Sequence, residues 1–208
     1  AGQRTSFELF HLLLPKLTSF TSPRAWAFGI LGIDAYLSKF QGDLPVRRIG
    51  TELVNRLLEC YENCHKDSWK WFEDIIAYDN ARLPEALISA SSWAENPKAL
   101  EVGISTLKWL FENCLDEKDG HLSLIGNRNW WKRGKPKSKF DQQPVDACAM
   151  LSAAKRAYEV TRDSIWKDYA ERAYEWFFGR NDLGIPLADE TSGGCRDGLF
   201  ANGANENM

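Results

Sequence analysis

Six stretches of this chain are apolar at helical spacing, and the segments between them alternate between short and long. Short turns follow the first, third and fifth stretches, and long segments follow the second, fourth and sixth. No period-two run of useful length predicts a strand. The chain is therefore predicted to be all-α and built as an array of helical hairpins. The predicted helices cover about residues 23–40, 45–64, 80–94, 97–114, 144–160 and 164–178.

Small residues are frequent in the first helix of each predicted hairpin, as Gly32 and Ala86 illustrate. They let helices approach closely, as the inner ring of an (α/α) toroid requires, although alanine also favours any helix. An open array of hairpins is the alternative. We predict one helical domain over 1–208, a six-hairpin-like (α/α) toroid that forms a partial or open ring and is a fragment of a longer toroid. Residues 1–22 are predicted to be an N-terminal extension with a short helix interrupted by Pro15.

The three long segments, near 65–79, 115–143 and from 179 onward, are rich in aromatic, amide, carboxyl and guanidinium side chains. Because each hairpin reverses the chain twice, we expect all three at the same end of the helices. Long loops in compact domains are uncommon unless they are functional. An aromatic ring can cover the apolar face of a pyranose, while polar side chains bind its hydroxyl groups. These segments are therefore predicted to form a carbohydrate site.

Most glycoside hydrolases place two carboxyl groups on either side of the bond that breaks. Asp79 and Asp141 occupy matching places before successive inner helices, so they are the preferred catalytic pair. Glu73, Asp146 and Asp197 are further candidates, and a loop carboxylate can also serve as a helix cap or turn former. The predicted saccharide-binding residues are Trp71, Tyr78, Asn80, Arg82, Asn127, Trp130, Trp131, Gln142, Gln143, Asp146, Arg180, Asn181 and Asp182.

Composition argues against several classes of partner and reaction. A formal net charge of −3 disfavours nucleic acid, and no apolar run approaches the roughly 20 residues of a membrane span. No phosphate-binding glycine loop and no nucleophile elbow occur. Five cysteines, several within apolar helical patterns, favour reduced thiols and a cytoplasmic location. No cofactor and no metal ion are expected.

Six short strings in and around the long segments form a set. They are Trp71-Phe-Glu73, Tyr78-Asp-Asn-Ala-Arg-Leu-Pro84, Phe140-Asp-Gln-Gln-Pro144, Trp176-Phe-Phe-Gly-Arg-Asn-Asp182, Gly193-Gly-Cys-Arg-Asp-Gly-Leu199 and Asn205-Glu-Asn207. This set resembles a known family, the helical (α/α) toroid domain associated with or fused to bacterial glycosyltransferases. The resemblance implies a fold similar to that of six-hairpin glycosidases, and a glycosyltransferase domain or subunit as partner. The two Rossmann-type transferase lobes are absent from these residues, so nucleotide-sugar transfer is not expected of them.

Three alternatives to saccharide processing stay open at the level of sequence. The domain could be a non-catalytic glycan-binding or scaffold module. A sugar epimerase of the α/α-toroid kind would use histidine as acid and base, and only His65 and His121 lie where they could reach the loops. A zinc toroid would use Cys148, Cys195 and His121 as metal ligands.

Overall fold

A computed structural model of the chain describes residues 2–207, with side chains from residue 5 onward. Helices account for 53% of the chain, which confirms the all-α fold class. Within the described residues, no helix is both long and apolar enough to cross a membrane. The α-helices are α1 (Gly2–Leu13), α2 (Pro23–Leu37), α3 (Leu44–Cys64), α4 (Arg82–Ala90), α5 (Pro97–Cys114), α6 (Pro144–Thr161) and α7 (Ile165–Trp176), and a 3-10 helix covers Leu14–Ser19.

Local sequence signals place several helix starts where they are expected. Asn96 caps α5, because its side chain accepts a hydrogen bond from the backbone N–H of Lys98 at 3.1 Å. Pro97 follows as the first helical residue, and Pro23 and Pro144 likewise begin α2 and α6. These signals act within one turn of helix, so they can be read without tertiary structure.

Helix α4 is shorter than predicted, because it begins at Arg82 rather than residue 80 and ends at Ala90 rather than 94. Asp79 has a φ of 49°, in the left-handed region, which prevents a continuous right-handed helix through this position. The backbone N–H and side-chain amide of Asn80 donate instead to Asp146 of α6. Tertiary contacts therefore override the helical pattern at the start of α4.

Helices α2, α4 and α6 lie side by side, and α3, α5 and α7 each pack against the helix that precedes them. Helix α4 is central, because it contacts α2, α5 and α6 and its residues 83–90 are all buried. Helix α6 packs with small side chains, and Ala147, Ala153 and Ala157 are fully buried. These residues allow the close approach of α6 to its neighbours.

The predicted N-terminal extension contains α1 and the 3-10 helix, with Pro15 at their junction. Tyr36 of α2 holds this region against the rest of the domain. Its ring stacks on Phe10, with centroids 4.6 Å apart, and its hydroxyl donates to Asp43 at 2.8 Å. The extension is thus helical and contacts α2 through Phe10, whereas Leu9, Leu12 and Leu13 of α1 are exposed.

Residues 2–207 contain four two-residue strands, although no strand was predicted. Strand β1 (Ile75–Ile76) pairs antiparallel with β2 (Trp131–Lys132), and β3 (Leu199–Phe200) pairs with β4 (Gly203–Ala204). Strands of two residues are too short to show alternation in the sequence, because they form where loops run side by side.

The three long segments contact one another at one end of the helices. The β1–β2 pair joins the first segment to the second. Gln142 and Leu199 exchange two backbone hydrogen bonds of 2.9 Å, which join the second segment to the third. The backbone N–H of Arg133 also donates to the carbonyl of Asp74 at 2.9 Å. These contacts bring the predicted polar segments together.

Gly103 of α5 lies against Pro84 and Ile88 of α4. A Cβ at this position would be 2.8 Å from Ile88 Cγ1, whereas a Cβ at Gly32 of α2 would meet no atom within 4 Å. Both substitutions to alanine favour the helix, but only Gly103→Ala overpacks a helix contact. We therefore expect Gly103→Ala to be less stable than Gly32→Ala by about 1–3 kcal/mol, measured by urea denaturation. Equal stability of the two variants would contradict this packing.

Candidate functional site

Arg24 connects the first turn of α2 to the first long segment. Its guanidinium donates to Glu73 Oε2 at 2.6 Å, to the Tyr78 carbonyl at 2.8 Å and to Asn80 Oδ1 at 3.1 Å. Tyr78 is half exposed, and its ring centroid lies 5.3 Å from Arg24 Cζ. Arg24 was not among the predicted site residues. The sequence feature that could have pointed to Arg24 is its position in the first turn of a predicted helix, where the helix dipole disfavours a positive charge.

Asn80 extends these contacts from α2 to α6. Its backbone N–H and its side-chain amide lie 3.4 and 3.2 Å from Asp146 Oδ1, in the first turn of α6. Burial raises the pKa of Asp146 to about 7, with a smaller contribution from the charge of Asp79, against hydrogen bonds from Asn80 that lower it. Arg24, Asn80 and Asp146 thus join the N-terminal ends of α2, α4 and α6.

Asp79 is the second buried carboxyl group at this end. Its Oδ1 lies 3.4 Å from Arg82 Nε, but neither atom has a hydrogen-bond partner among the residues that the structure describes. Arg82 bonds instead to Glu85 Oε2 through Nη1, at 2.7 Å. Burial raises the pKa of Asp79, and the positive charges of Arg82 and Arg24 oppose that effect. A buried acceptor and a buried donor therefore form an ion pair that lacks a hydrogen bond.

Asp141 belongs to a separate set of contacts. Arg128 Nη2 lies 3.5 Å from Asp141 Oδ1, and the backbone N–H of Asn127 donates to the Asp141 carbonyl at 2.8 Å. The carboxyl group that interacts electrostatically with Asp79 is that of Asp146. The predicted catalytic pairing of Asp79 with Asp141 stays a prediction, and the observed neighbours are Asp79 and Asp146.

Gln142 and Asp182 form a second buried polar cluster, where the second and third segments meet. Gln142 Nε2 donates to Asp182 Oδ2 at 2.5 Å, and its Oε1 accepts from the Trp176 indole at 2.9 Å. Lys139 Nζ lies 2.7 Å from Asp182 Oδ1. Burial alone would raise the pKa of Asp182, but hydrogen bonds, led by that from Lys139, hold it below its ordinary value. Because these groups satisfy one another, the cluster holds the two segments together.

Asp116, His121 and Asp182 have the spacing of metal ligands among the described side chains, and their ligand atoms lie within 4.8 Å of one another. The ammonium group of Lys139 already forms an ion pair with Asp182. A metal ion at this position would have to displace it. Neither cysteine of the zinc alternative belongs to this grouping.

The tryptophans of the long segments differ in exposure. Trp71 is fully buried and stacks on Trp109, so its ring is part of the core and offers no free face to a sugar. Trp130 is exposed, and Trp131 is half-buried with its ring 5.5 Å from that of Trp109. Trp131 and Lys139 line a cavity of about 590 Å³ at this end. That volume is in the range of small-molecule sites.

The remaining predicted residues bond mainly within their own turns. Asn181 is buried, and its amide donates to two backbone carbonyls of the turn after α7. Arg180 pairs with Glu175 at 2.6 Å on a partly exposed surface. Gln143 is the N-cap residue of α6, and Asp197 is exposed. The structure does not bring these four predicted residues into contact with Asp79.

Comparison with known proteins finds no family profile and no curated protein that match this chain. Function is therefore inferred from the side chains at the N-terminal ends of α2, α4 and α6. That end combines the carboxyl groups of Asp79 and Asp146 with the guanidinium groups of Arg24 and Arg82 and the amide of Asn80. Carboxyl, guanidinium and amide groups of this kind can bind neutral polyhydroxyl ligands.

Proposed function

We propose that this domain binds a saccharide at the N-terminal ends of α2, α4 and α6. The observation that carries the proposal is the unsatisfied pair of Asp79 Oδ1 and Arg82 Nε, which lie 3.4 Å apart. One sugar hydroxyl can donate to a carboxylate and accept from a guanidinium at the same time. Both atoms are closed to solvent in this structure, so a hydroxyl reaches them only when the surrounding side chains move. Buried polar groups without partners are costly, so a hydroxyl that satisfies both would be favoured.

Aromatic side chains at this end support the choice of ligand. Tyr78, which precedes Asp79 in the chain, is half exposed, and Trp130 of the second long segment is exposed. Trp131 lines the separate cavity of about 590 Å³, to which Asp79, Arg82 and Asp146 do not contribute. Flat aromatic faces match the apolar face of a pyranose, whereas Asn80 and the acidic groups match its hydroxyl rim. This combination favours a neutral saccharide over a purely apolar ligand.

The packing order of the helices supports the larger architecture that we propose. Helices α2, α4 and α6 form an inner row, and each is followed by the helix that packs behind it. A six-hairpin-like (α/α) toroid continues this arrangement around a ring. Together with the resemblance in the long segments, this leads us to include a glycosyltransferase domain or subunit as the working partner.

Glycoside processing is a second candidate function, favoured by the neighbouring carboxyl groups of Asp79 and Asp146. With its pKa raised to about 7, Asp146 keeps a proton on a fraction of molecules at neutral pH, as a general acid requires. Asp79 would serve as the partner carboxyl group. Release of p-nitrophenol from a set of aryl glycosides by the wild-type domain separates processing from binding alone.

Isothermal titration calorimetry with a panel of neutral mono- and disaccharides tests the binding proposal. We expect Asp79→Asn to weaken binding of the best ligand at least tenfold, because the hydroxyl loses its charged acceptor. Asparagine tolerates the left-handed backbone of position 79 (φ 49°), so the fold should be kept. Asp168→Asn, an exposed change on α7, should leave binding unchanged. Equal affinity of Asp79→Asn and wild type would refute the assignment.

A further inference from the structure

A second polar cavity has a volume of about 410 Å³. It lies beside the short turn between α2 and α3 and the turn that follows α4. It is lined by the end of α2, the first turn of α3, the turn after α4 and Arg156 of α6. Fourteen residues separate Arg24 from Ser38, and a helix rises about 1.5 Å per residue, so this cavity is roughly 20 Å from the saccharide site. The two sites are therefore distinct.

The charged groups that line this cavity are two guanidinium groups and one carboxylate, those of Arg47, Arg156 and Asp34. The carboxylate of Asp34 already has two partners, Arg156 and Trp93. Its Oδ2 lies 3.3 Å from Arg156 Nη2, and its Oδ1 accepts from the Trp93 indole at 3.0 Å. Arg156 also donates to the Ser89 hydroxyl at 3.0 Å. The side chains that line the cavity therefore carry a net charge of +1.

Arg47 is the less satisfied of the two guanidinium groups. Its Nη2 donates to the Gln41 carbonyl at 2.9 Å. The carboxylate that it faces belongs to Glu95, which is 3.8 Å away and 87% exposed. Its Nε is buried and has no hydrogen-bond partner within the described part of the chain. Arg47 is 31% exposed, so its Nη1 can take a further acceptor, and its buried Nε can do so when the side chain turns.

We infer that this cavity binds a small molecule through a single oxyanion, a carboxylate or phosphoryl group, held by Arg47 and Arg156. Guanidinium groups bind such oxyanions with two parallel hydrogen bonds. The C-terminal ends of α2 and α4 direct carbonyl dipoles toward this region and disfavour an anion. Glu159, 3.5 Å from Arg156 Nη1, adds to that opposition. All three guanidinium nitrogens of Arg156 already have acceptors, so Arg156 contributes mainly its charge and the hydrogen bonds to the oxyanion come chiefly from Arg47.

Titration of the ¹⁵N-labelled wild-type domain with inorganic phosphate, and separately with acetate, tests this inference. The Trp93 indole N–H lines the cavity, so its resonance should shift and saturate, whereas sodium chloride at equal ionic strength should not move it. Arg47→Gln should raise the dissociation constant at least tenfold. Arg48→Gln is the matched control, because Arg48 is exposed on the next position of α3 and does not line this cavity.

Saturation by phosphate but not acetate would assign a phosphoryl ligand, and the reverse a carboxylate; either supports the inference. A Trp93 resonance unmoved by both anions would overturn it, as would equal affinities of Arg47→Gln and wild type. Should Arg47→Gln fail to fold, the wild-type shifts at Trp93 and Ser92 decide the matter alone. Because the saccharide site lies at the other end of α2, failure of either site leaves the other untouched.

Discussion

Replacing Arg24 with alanine is expected to lower the free energy of unfolding by about 3 kcal/mol, the lower end of the cost of removing one partner of a buried ion pair, because the Glu73 side chain is 25% exposed. Arg24 is 9% exposed, and its loss leaves the Glu73 carboxylate without the cation 2.6 Å away. The Tyr78 carbonyl and Asn80 Oδ1 also lose their charged donor. Urea denaturation followed by circular dichroism measures the change.

The matched control for this prediction is Arg180→Ala. Arg180 pairs with Glu175 at the same 2.6 Å, but the two side chains are 50% and 31% exposed. Exposed pairs contribute about 0–1 kcal/mol, so this variant should be nearly as stable as wild type. If both variants lose the same stability, the Arg24 contacts do not hold the N-terminal ends of α2 and α4 together.

Asp146→Asn is expected to make the domain's stability less dependent on pH. The folded-state pKa of Asp146 is raised to about 7, above the roughly 3.9 of an unfolded aspartate. The group's contribution to stability is therefore fully present below about pH 4 and is lost as pH rises toward 7. A pKa difference of one between the folded and unfolded states corresponds to about 1.36 kcal/mol. The difference between about 7 and roughly 3.9 therefore removes on the order of 4 kcal/mol of stability by pH 7.

The comparison that isolates this effect is the stability difference between Asp146→Asn and wild type at pH 4.5 and at pH 8. Asparagine keeps an oxygen that can accept from Asn80, so the difference should shift in favour of the variant as pH rises. Asp168→Asn, on the exposed surface of α7, should show no such shift. Parallel curves for Asp146→Asn and wild type would show that Asp146 is not held as a buried acid.

The second prediction concerns a group that costs stability at neutral pH, at the end of the helices where the long segments meet. The buried acid Asp146 lies in the first turn of α6, close to Asp79 and Arg82 at the start of α4, where one acceptor atom and one donor atom have no hydrogen-bond partner among the described residues. Proteins keep such unfavourable groups mainly at functional sites, where a ligand satisfies them. The saccharide proposal accounts for their location.

Much of the helical framework could be predicted because its signals are local. The Asn96 cap and the prolines at residues 23, 97 and 144 mark helix starts within a single turn. Apolar spacing then predicts where each helix continues. The start of α4 could not be predicted in this way, because Asn80 bonds to a residue 66 positions away.

The candidate site was predicted in part. Asp79, Asn80, Arg82 and Asp146 were all named from the polar character of their segments, and the structure places them together. Arg24 was missed, because its partners lie 49 to 56 residues along the chain. The exposure of the aromatic residues could not be predicted either, because the local sequence around a tryptophan in a polar loop does not indicate whether its side chain is buried or exposed.

The sequence by itself determined the helices, their order and the polar character of the segments between them, because helical periodicity and capping depend on neighbours a few residues apart. Only the tertiary structure decided which polar groups meet, which are buried and which keep unsatisfied atoms. Those properties depend on long-range packing, in which α2, α4 and α6 bring Asn80 within hydrogen-bonding reach of both Arg24 and Asp146.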